Sequence, residues 1–371
     1  MRRLFAGFLA IMLLLSLAGC TVTEETEPSG TTENPAVQRD PEGNLLTGWQ
    51  ILNGEKYRFT QEGKPVSGWF TDLDEDQMPR YYLSDTGKVL TGWQEIDGKR
   101  YYFGTEGPMT TGWLELEDGV YYFGVDGILF TGLLNIRGQG YYFSEDGKRY
   151  SGWLEQDGKT YYFDAEGVMA VGPQVIDEVQ HYFSPHGVKV LLVNPWNTVP
   201  EGYEVELVNV TEKDRLETAC AEALQRMLAD CEAAGHLTMI VSAYRTQEEQ
   251  EFLYWRKVNN LRENDWPYRD AMEEAARHVA VPGTSEHQLG LAVDLMDTAY
   301  PYLDDYQANT AGQKWLMEHC HEYGFILRYP VGTTEITGII FEPWHYRYVG
   351  VEIAQEITNL GITLEEYLGA A

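Results

Sequence analysis

Between Ser285 and Asp294 the chain reads SEHQLGLAVD, which sets an imidazole and a carboxylate seven positions apart with Gly290 between them. Both side chains are of metal-ligand type. Zinc holds nitrogen and oxygen donors at about 2.0–2.2 Å, so two ligands of one ion cannot stand far apart. Seven steps of straight strand would separate His287 from Asp294 by about 23 Å, and seven steps of helix by about 10 Å. If the two share an ion, the chain must double back between them, and Gly290 is the residue free to take the backbone angles of that turn. The expected local structure is a strand end, a turn and then a strand GLAVD. A surface histidine beside a strand with a terminal Asp would read the same way. Further along, the apolar run ITGIIF ends in Glu342, and His345 follows across Pro343 and Trp344. Proline does not fit a central-strand pairing, so the run must bulge or turn there, a break able to aim both side chains into one pocket.

Such a set needs elements to hold it. Asp214 to Ala234, DRLETACAEALQRMLADCEAA, has the pattern of an amphipathic helix with Asp214 at its start and Gly235 at its end. LTMIVSAYRT then reads as a strand that leaves Ser242 and Arg245 at its exit, and a second helix is expected from Gln247 to about Asn260. The planar donor fork of an arginine suits an oxyanion or a carboxylate, although an Arg at a strand end also commonly pairs with a surface acid. His319 and His321 lie two apart on the helical run WLMEHCHEYGF and so do not face each other. His181, His186, His236 and His278 have no partner at ligand spacing.

SEHQLGLAVD and EPWHYRYVG, preceded by SAYRT at Ser242 to Thr246, are similar to the motifs of the D-alanyl-D-alanine carboxypeptidase family of zinc peptidases, the group with the VanY-type enzymes. The resemblance runs from about Val193 to Leu368 and includes VNPWNTVPEGYEVELV. It implies an α+β catalytic domain, an antiparallel sheet with helices, over residues 191–371. It further implies Zn2+ held by His287, Asp294 and His345, with Glu342 as general base and Arg245 stabilising the oxyanion. Ser242, Gln250, Ser285 and Tyr329 stand where relatives hold the substrate. The implied reaction removes the terminal D-Ala from peptidoglycan stem peptides. An L,D-carboxypeptidase or a peptidoglycan endopeptidase would use the same scaffold. A wall-binding protein with a vestigial site would be expected to lack a ligand or the base, and none is missing.

The chain before this domain is of a different kind. Arg2 and Arg3 precede an apolar run, Leu4 to Leu17, too short to span a bilayer, and LAGC follows at Leu17 to Cys20. The pattern of residues 1–20 is that of a secretory signal whose end resembles a bacterial lipobox, with Cys20 as the lipidated residue. Ordinary signal cleavage beside an incidental Cys is the alternative. Residues 21–43 are rich in Thr, Glu, Ser, Pro and Asn and read as a disordered linker that lifts the rest off a membrane.

Over residues 44–190 the chain repeats. A Gly-Trp or Gly-apolar step recurs at Gly48, Gly68, Gly92, Gly112, Gly132, Gly152 and Gly172, at intervals of 20, 24, 20, 20, 20 and 20 residues. Each unit carries an aromatic strand such as KRYYF and a DG or EG turn, the pattern of a β-hairpin. One hairpin is marginal alone, so the units must stack into an all-β solenoid. They resemble the choline- or glucan-binding repeats of Gram-positive surface proteins, which implies a cell-wall polymer or glycan as partner and Trp49, Trp69, Trp93, Trp113 and Trp153 as its candidate contacts. These tryptophans would equally well pack between hairpins. Choline itself fits poorly. Where the choline-binding version carries a further Trp before the paired tyrosines, this chain has Arg100, Val120, Gly140 and Thr160, and Leu133 and Pro173 replace the Trp of the Gly-Trp step.

A formal net charge of −31 excludes nonspecific nucleic-acid binding, which needs a basic surface, and leaves the repeats to recognise an anionic wall by rings and hydrogen bonds. The expected location is extracytoplasmic, lipid-anchored to the membrane and associated with the wall of a bacterium of Gram-positive type. With Cys20 assigned to lipid, Cys220, Cys231 and Cys320 remain, an odd number for an exported chain. Cys220 and Cys231 lie about 16 Å apart along one helix and cannot bridge each other. Either one reaches Cys320, or all three are buried thiols, which is the more economical arrangement.

Overall fold

The computed structural model describes residues 36–371 apart from 74, 76 and 77. The expected signal segment and Cys20 lie outside the described residues. No helix among the described residues is long and apolar enough to cross a membrane. The chain divides into two compact units, one ending at Thr110 and the other Thr111–Ala371.

The repeats fold as antiparallel hairpins that open at the glycine of each Gly-Trp step. In the first unit Gly48–Leu52 pairs with Glu55–Phe59 and Gly92–Ile96 with Lys99–Phe103. In the second unit the array continues, for example Gly152–Gln156 with Lys159–Phe163. At Asp97-Gly98 and Asp157-Gly158 both turn residues have positive φ, the two-residue geometry whose twist matches the strands it joins. The last residue of each second strand, Leu83 in one and a phenylalanine such as Phe59, Phe103, Phe143 or Phe163 in the others, is buried. Backbone bonds tie successive hairpins, Met109 N to Arg80 O at 2.7 Å in the first unit and Met169 N to Gly140 O at 2.8 Å in the second. Stacking therefore supplies the core that one hairpin lacks.

The composition changes at Lys189, but the fold does not part there. Lys189–Val190 adds a third strand to the last hairpin, and Val190 and Leu192 share a core with Ile353, Ile357, Leu364 and Leu368. The Tyr182 hydroxyl donates to Asn197 Oδ1 at 2.6 Å across the same junction.

The α+β portion is built on one four-stranded antiparallel sheet. Its strands are β1 (Thr238–Ser242), β2 (Ala292–Asp297), β3 (Phe325–Leu327) and β4 (His345–Tyr348), in the order β1-β2-β4-β3. The helices are α1 (Thr218–Ala233), α2 (Gln247–Glu263), α3 (Tyr268–His278), α4 (Ala311–His319), α5 (Val351–Leu360) and α6 (Leu364–Tyr367). One face of α1, with Cys220, Leu224, Met227 and Cys231, packs on Val293, Leu295, Phe325 and Tyr346. Cys220, Cys231 and Cys320 are all buried free thiols, and burial pushes the Cys320 thiol up to about 12, far from reactive.

Three local expectations are corrected. The helix α1 begins at Thr218 because Arg215–Glu217 pairs as a short strand with Leu207–Asn209, and Glu217, not Asp214, accepts from Cys220 N to cap it. Asp214 instead closes a turn with the Thr211 hydroxyl at 2.6 Å. The run ITGIIF is not a strand: Thr334–Thr337 is one helical turn ended by Gly338 at φ 78, and pairing resumes only at His345, past Pro343. α3, bearing Ala271 and Ala275 against Tyr254 and Val258 of α2, was not expected, although Ala271, Met272, Ala275 and Ala276 recur at helical spacing opposite a charged face.

Under the sheet lies a cluster of four buried charges. Arg328 donates to both carboxylate oxygens of Glu365 at 2.6 and 2.9 Å and to Glu286 Oε1 at 2.8 Å. Arg347 donates to the same Glu286 oxygen at 2.7 Å and to Leu191 O at 2.6 Å. Fork-on-carboxylate pairing of this kind offsets the desolvation of each ion only while all partners are present. Glu365→Ala should therefore cost about 3–5 kcal/mol by stranding the Arg328 guanidinium. A urea unfolding curve followed by far-UV circular dichroism checks this, with an exposed control such as Glu318→Ala expected near neutral.

Candidate active site

Antiparallel register sets the first part of the site. Asp294 on β2 lies directly opposite His345 on β4 and opposite Ser242 on β1, so the three stand in one row across the sheet. His287 reaches the same place from a tight 3-10 turn, Glu286–Leu289, where a strand end was expected. Gly290 ends that turn at φ 72, and a Cβ there would lie 2.9 Å from Leu207 Cδ2 and 3.1 Å from Glu217 N. Only glycine satisfies both the backbone angle and the close approach.

His287 donates Nδ1–H to Ala243 O at 2.7 Å, which leaves Nε2 bare and 3.3 Å from Asp294 Oδ2. His345 turns Nδ1 to Asp294 Oδ1 at 3.0 Å. The two rings stand perpendicular with centroids 4.9 Å apart. One donor atom from each of His287, Asp294 and His345 falls within 4.8 Å of the others, and all three residues are buried. Two imidazoles and a carboxylate are a donor set of the kind zinc takes at sites that keep an open position. The residues fit such an ion.

The electrostatics set the two imidazoles apart. Burial would raise Asp294, but His287, His345 and Arg245 together hold it well below the usual carboxylate range. His287 is lowered to about 4, first by burial and then by the Arg245 charge, so its ring is a neutral donor at physiological pH. Burial would lower His345, but the Asp294 and Glu286 carboxylates raise it to about 9, so without an ion the ring carries both protons and a bound cation would displace the one on Nδ1. Glu342 lies 3.8 Å from His345 Nδ1 and is raised to about 8, chiefly by burial. A carboxylate so placed exchanges a proton readily near neutrality.

These groups line a cavity of 840 Å³, together with Arg245, Ser242, Ser285, Tyr329 and Trp344. Arg245 is held at three points: Nε to Ser242 Oγ at 2.7 Å, Nη1 to Gln250 Oε1 at 3.3 Å and Nη2 to Asp294 Oδ2 at 2.7 Å. The Tyr329 ring packs on that of His345 at 4.8 Å. Gln250 differs from expectation. It is fully buried behind Arg245, does not line the cavity, and its amide donates to Ala280 O at 2.7 Å. It braces the guanidinium and has no face toward a ligand. Sequence reading also missed Glu286, Arg328 and Arg347. The alternation in HYRYV did carry a signal, since His345 and Arg347 must share one face of β4.

In the repeats each tryptophan of the first unit already carries a cation of the chain itself. Lys56 lies 4.4 Å from the Trp49 ring, Arg80 4.6 Å from Trp69 and Arg100 4.6 Å from Trp93. Arg80 and Arg100 occupy the position before the paired tyrosines, where a third ring was missing, and Lys56 the equivalent position before Tyr57. In the second unit Lys189 covers Trp153 at 4.9 Å. Trp113, in the repeat with Val120 at that position, packs on Tyr122 and Tyr141 and is 42% exposed.

Residues 213–351 match the family model for D-alanyl-D-alanine carboxypeptidase (VanY), and residues 90–127 and 130–173 match that of the choline-binding repeat. A D-alanyl-D-alanine carboxypeptidase of Enterococcus faecalis is 41% identical over 179 residues, 48% of this chain and 65% of that protein. The putative carboxypeptidase YodJ of Bacillus subtilis is 33% identical over 174 residues, 47% of this chain and 60% of that protein. The chain thus spans less than two thirds of the length of either relative. Among solved structures, a vancomycin-resistance D,D-pentapeptidase in complex with Zn(II) is 40% identical, covering 48% of this chain and 97% of the other, with a TM-score of 0.45.

The donor geometry predicts one equivalent of zinc per chain, retained through dialysis and measured by elemental analysis. His345→Ala should bring that content close to zero, while Glu342→Gln, which removes no donor of the trio, should leave it at one.

Proposed function

Because residues 213–351 form a domain of the D-alanyl-D-alanine carboxypeptidase family, we propose that this protein is a zinc-dependent D,D-carboxypeptidase that removes the terminal D-Ala from peptidoglycan stem peptides. The observation that carries the reading is the convergence of His287, Asp294 and His345 beside a buried Glu342 and a braced Arg245 in one cavity. Zinc, when bound by that trio, supplies Lewis acidity and a water of lowered pKa.

The chain's own groups do the rest. Glu342 takes the proton of the attacking water and later delivers it to the leaving amine. Its burial raises its basicity toward that task. Arg245 spends three of its roughly five N–H donors on Ser242, Gln250 and Asp294, so Nη1 and Nη2 each retain one N–H for a substrate oxygen. A planar donor pair on a fixed guanidinium suits the developing oxyanion, and also the free carboxylate that a carboxypeptidase must neutralise near the scissile bond. Ser285 and Tyr329 add neutral donors to the cavity wall.

The rest of the chain fits a wall-directed enzyme. In this reading residues 1–20 export the protein and leave Cys20 lipidated, and the linker expected over 21–43 forms a spacer that stops short of Gln38, whose backbone already bonds to Gly63 and Leu46 as part of the repeats; 44–190 bind a wall polymer or glycan and 191–371 carry out hydrolysis. The self-capped tryptophans argue against choline as the ligand at Trp49, Trp69 and Trp93 and favour contacts by exposed rings and hydrogen bonds.

Mass spectrometry of defined muropeptides tests the reaction. Pentapeptide should be trimmed to tetrapeptide by one D-Ala, an amidated C-terminus should abolish cleavage, and Glu342→Gln should lower kcat by at least about 100-fold. Trimming of tetrapeptide with pentapeptide untouched would assign an L,D-carboxypeptidase, and internal cleavage of cross-linked stems an endopeptidase. For the repeats, the protein should sediment with purified Gram-positive walls, resist elution by salt and stay bound in excess choline. Protein that remains in the supernatant with every wall preparation would make the array a spacer.

A further inference from the structure

Glu286 immediately precedes a metal-site residue, is buried completely, and has no part in the mechanism above. Its Oε1 accepts from Arg328 Nε at 2.8 Å and from Arg347 Nη1 at 2.7 Å. Its other oxygen, Oε2, stands 3.5 Å from Nε2 of His345, and neither of these atoms has another hydrogen-bond partner among the described residues. Two buried polar atoms left facing only each other require an explanation.

The ring chemistry supplies one. His345 presents Nδ1 to Asp294 and so to the centre of the donor trio. A ring nitrogen that binds a metal carries no proton, so the proton of the neutral ring must sit on Nε2. Among the described residues, the acceptor facing it is Glu286 Oε2. We infer that Glu286 is the positioning residue of His345: it accepts the Nε2 proton and so presents Nδ1 to the ion. The inference rests on the metal-site reading of the previous subsections. His287 is set the opposite way, with Nδ1 donating to Ala243 O and Nε2 turned inward, so the two imidazoles serve as opposite tautomers. An outer carboxylate that fixes ring orientation and raises ligand basicity changes metal affinity typically by about 10- to 100-fold.

Why a carboxylate is needed, and not its amide, follows from the arginines. Arg328 and Arg347 both donate to Oε1, so a glutamine at 286 must turn its oxygen to them and its NH2 toward His345 Nε2. That NH2 donates to Nε2 and drives the ring proton onto Nδ1, the atom required for the ion. Glu365 is the control, because it binds the far side of Arg328 and disturbs the same charge cluster without facing His345.

The test measures zinc dissociation constants of the full chain by competition with a chromophoric chelator, for wild type, Glu286→Gln and Glu365→Gln, each checked for native circular dichroism. Glu286→Gln should weaken zinc by about 10- to 100-fold, and Glu365→Gln should leave it within about threefold of wild type. Long-range 1H–15N correlation of the imidazoles in zinc-loaded wild type should place the His345 proton on Nε2 and the His287 proton on Nδ1, a readout that holds even if Glu286→Gln does not fold. Equal weakening in both variants would reduce Glu286 to a structural role and overturn the inference. So would unchanged affinity in folded Glu286→Gln, or a His345 proton on Nδ1. Wild type that binds no zinc at all would instead sink the metal-site reading itself.

Discussion

The Asp294 carboxylate is buried except where it meets the cavity, and the site around it is the set of groups that make its charge tolerable. An isolated ionised carboxylate in such a place would cost many kilocalories and would protonate instead. Here the Arg245 guanidinium donates to Asp294 at 2.7 Å and keeps it ionised, while ring nitrogens of His287 and His345 stand 3.3 and 3.0 Å from its oxygens, where a cation held by the trio would complete the compensation. The same requirement explains why Arg245 is fastened at its other donors by Ser242 and Gln250. A guanidinium free to swing would leave the acid uncompensated. It also explains the antiparallel register, since a slip of one residue would move Asp294 to the other face of the sheet, away from His345 and Ser242.

A second layer of buried charge repeats that logic one step away. Glu286 is compensated by two arginines, and Arg328 in turn by Glu365 on α6. Through Arg347 the cluster also holds the Leu191 carbonyl, so the entry of the chain into this domain and its last helix are fastened to the strand that bears His345. A buried cluster of this kind is weak evidence of stability in itself, because well-packed apolar residues of similar volume often do as well. Its value lies in fixing direction. Guanidinium forks accept a carboxylate in few geometries, so they fix the rotation of Glu286 and with it the oxygen offered to His345.

Much of this was legible in the sequence, and the reasons are specific. The spacing in SEHQLGLAVD demanded a reversal at Gly290, and the structure makes it there, at φ 72. The period of the Gly-Trp step gave the hairpins, because the φ > 0 turn residues and the alternating rings are local signals. What escaped was long-range. The strand signal of ITGIIF was overridden by Gly338 and Pro343, and the cap of α1 moved to Glu217 once Arg215–Glu217 paired with a neighbouring segment. Gln250 looked like a ligand donor because its type permits it, yet its place on the inner face of α2 turns both ends of its amide into the protein. The buried cluster joins residues as distant as Leu191 and Glu365, which no window on the sequence brings together.

The junction of the repeats and the α+β fold bears on how the proposed activity would work at a solid surface. A flexible linker raises the local concentration of substrate but leaves orientation free. Within the second unit the hairpins do not hang on such a linker. Lys159 pairs with Glu352 at 2.5 Å, His186 with Glu356 at 2.7 Å, and Val190 and Leu192 complete the apolar core under α5 and α6. Exposed ion pairs of this sort add little energy alone. The shared core is different, since separating it would expose several large side chains at about 1.5–3 kcal/mol each. These hairpins are therefore part of the same body as the α+β fold, and any polymer that they engage would meet the cavity from a fixed direction.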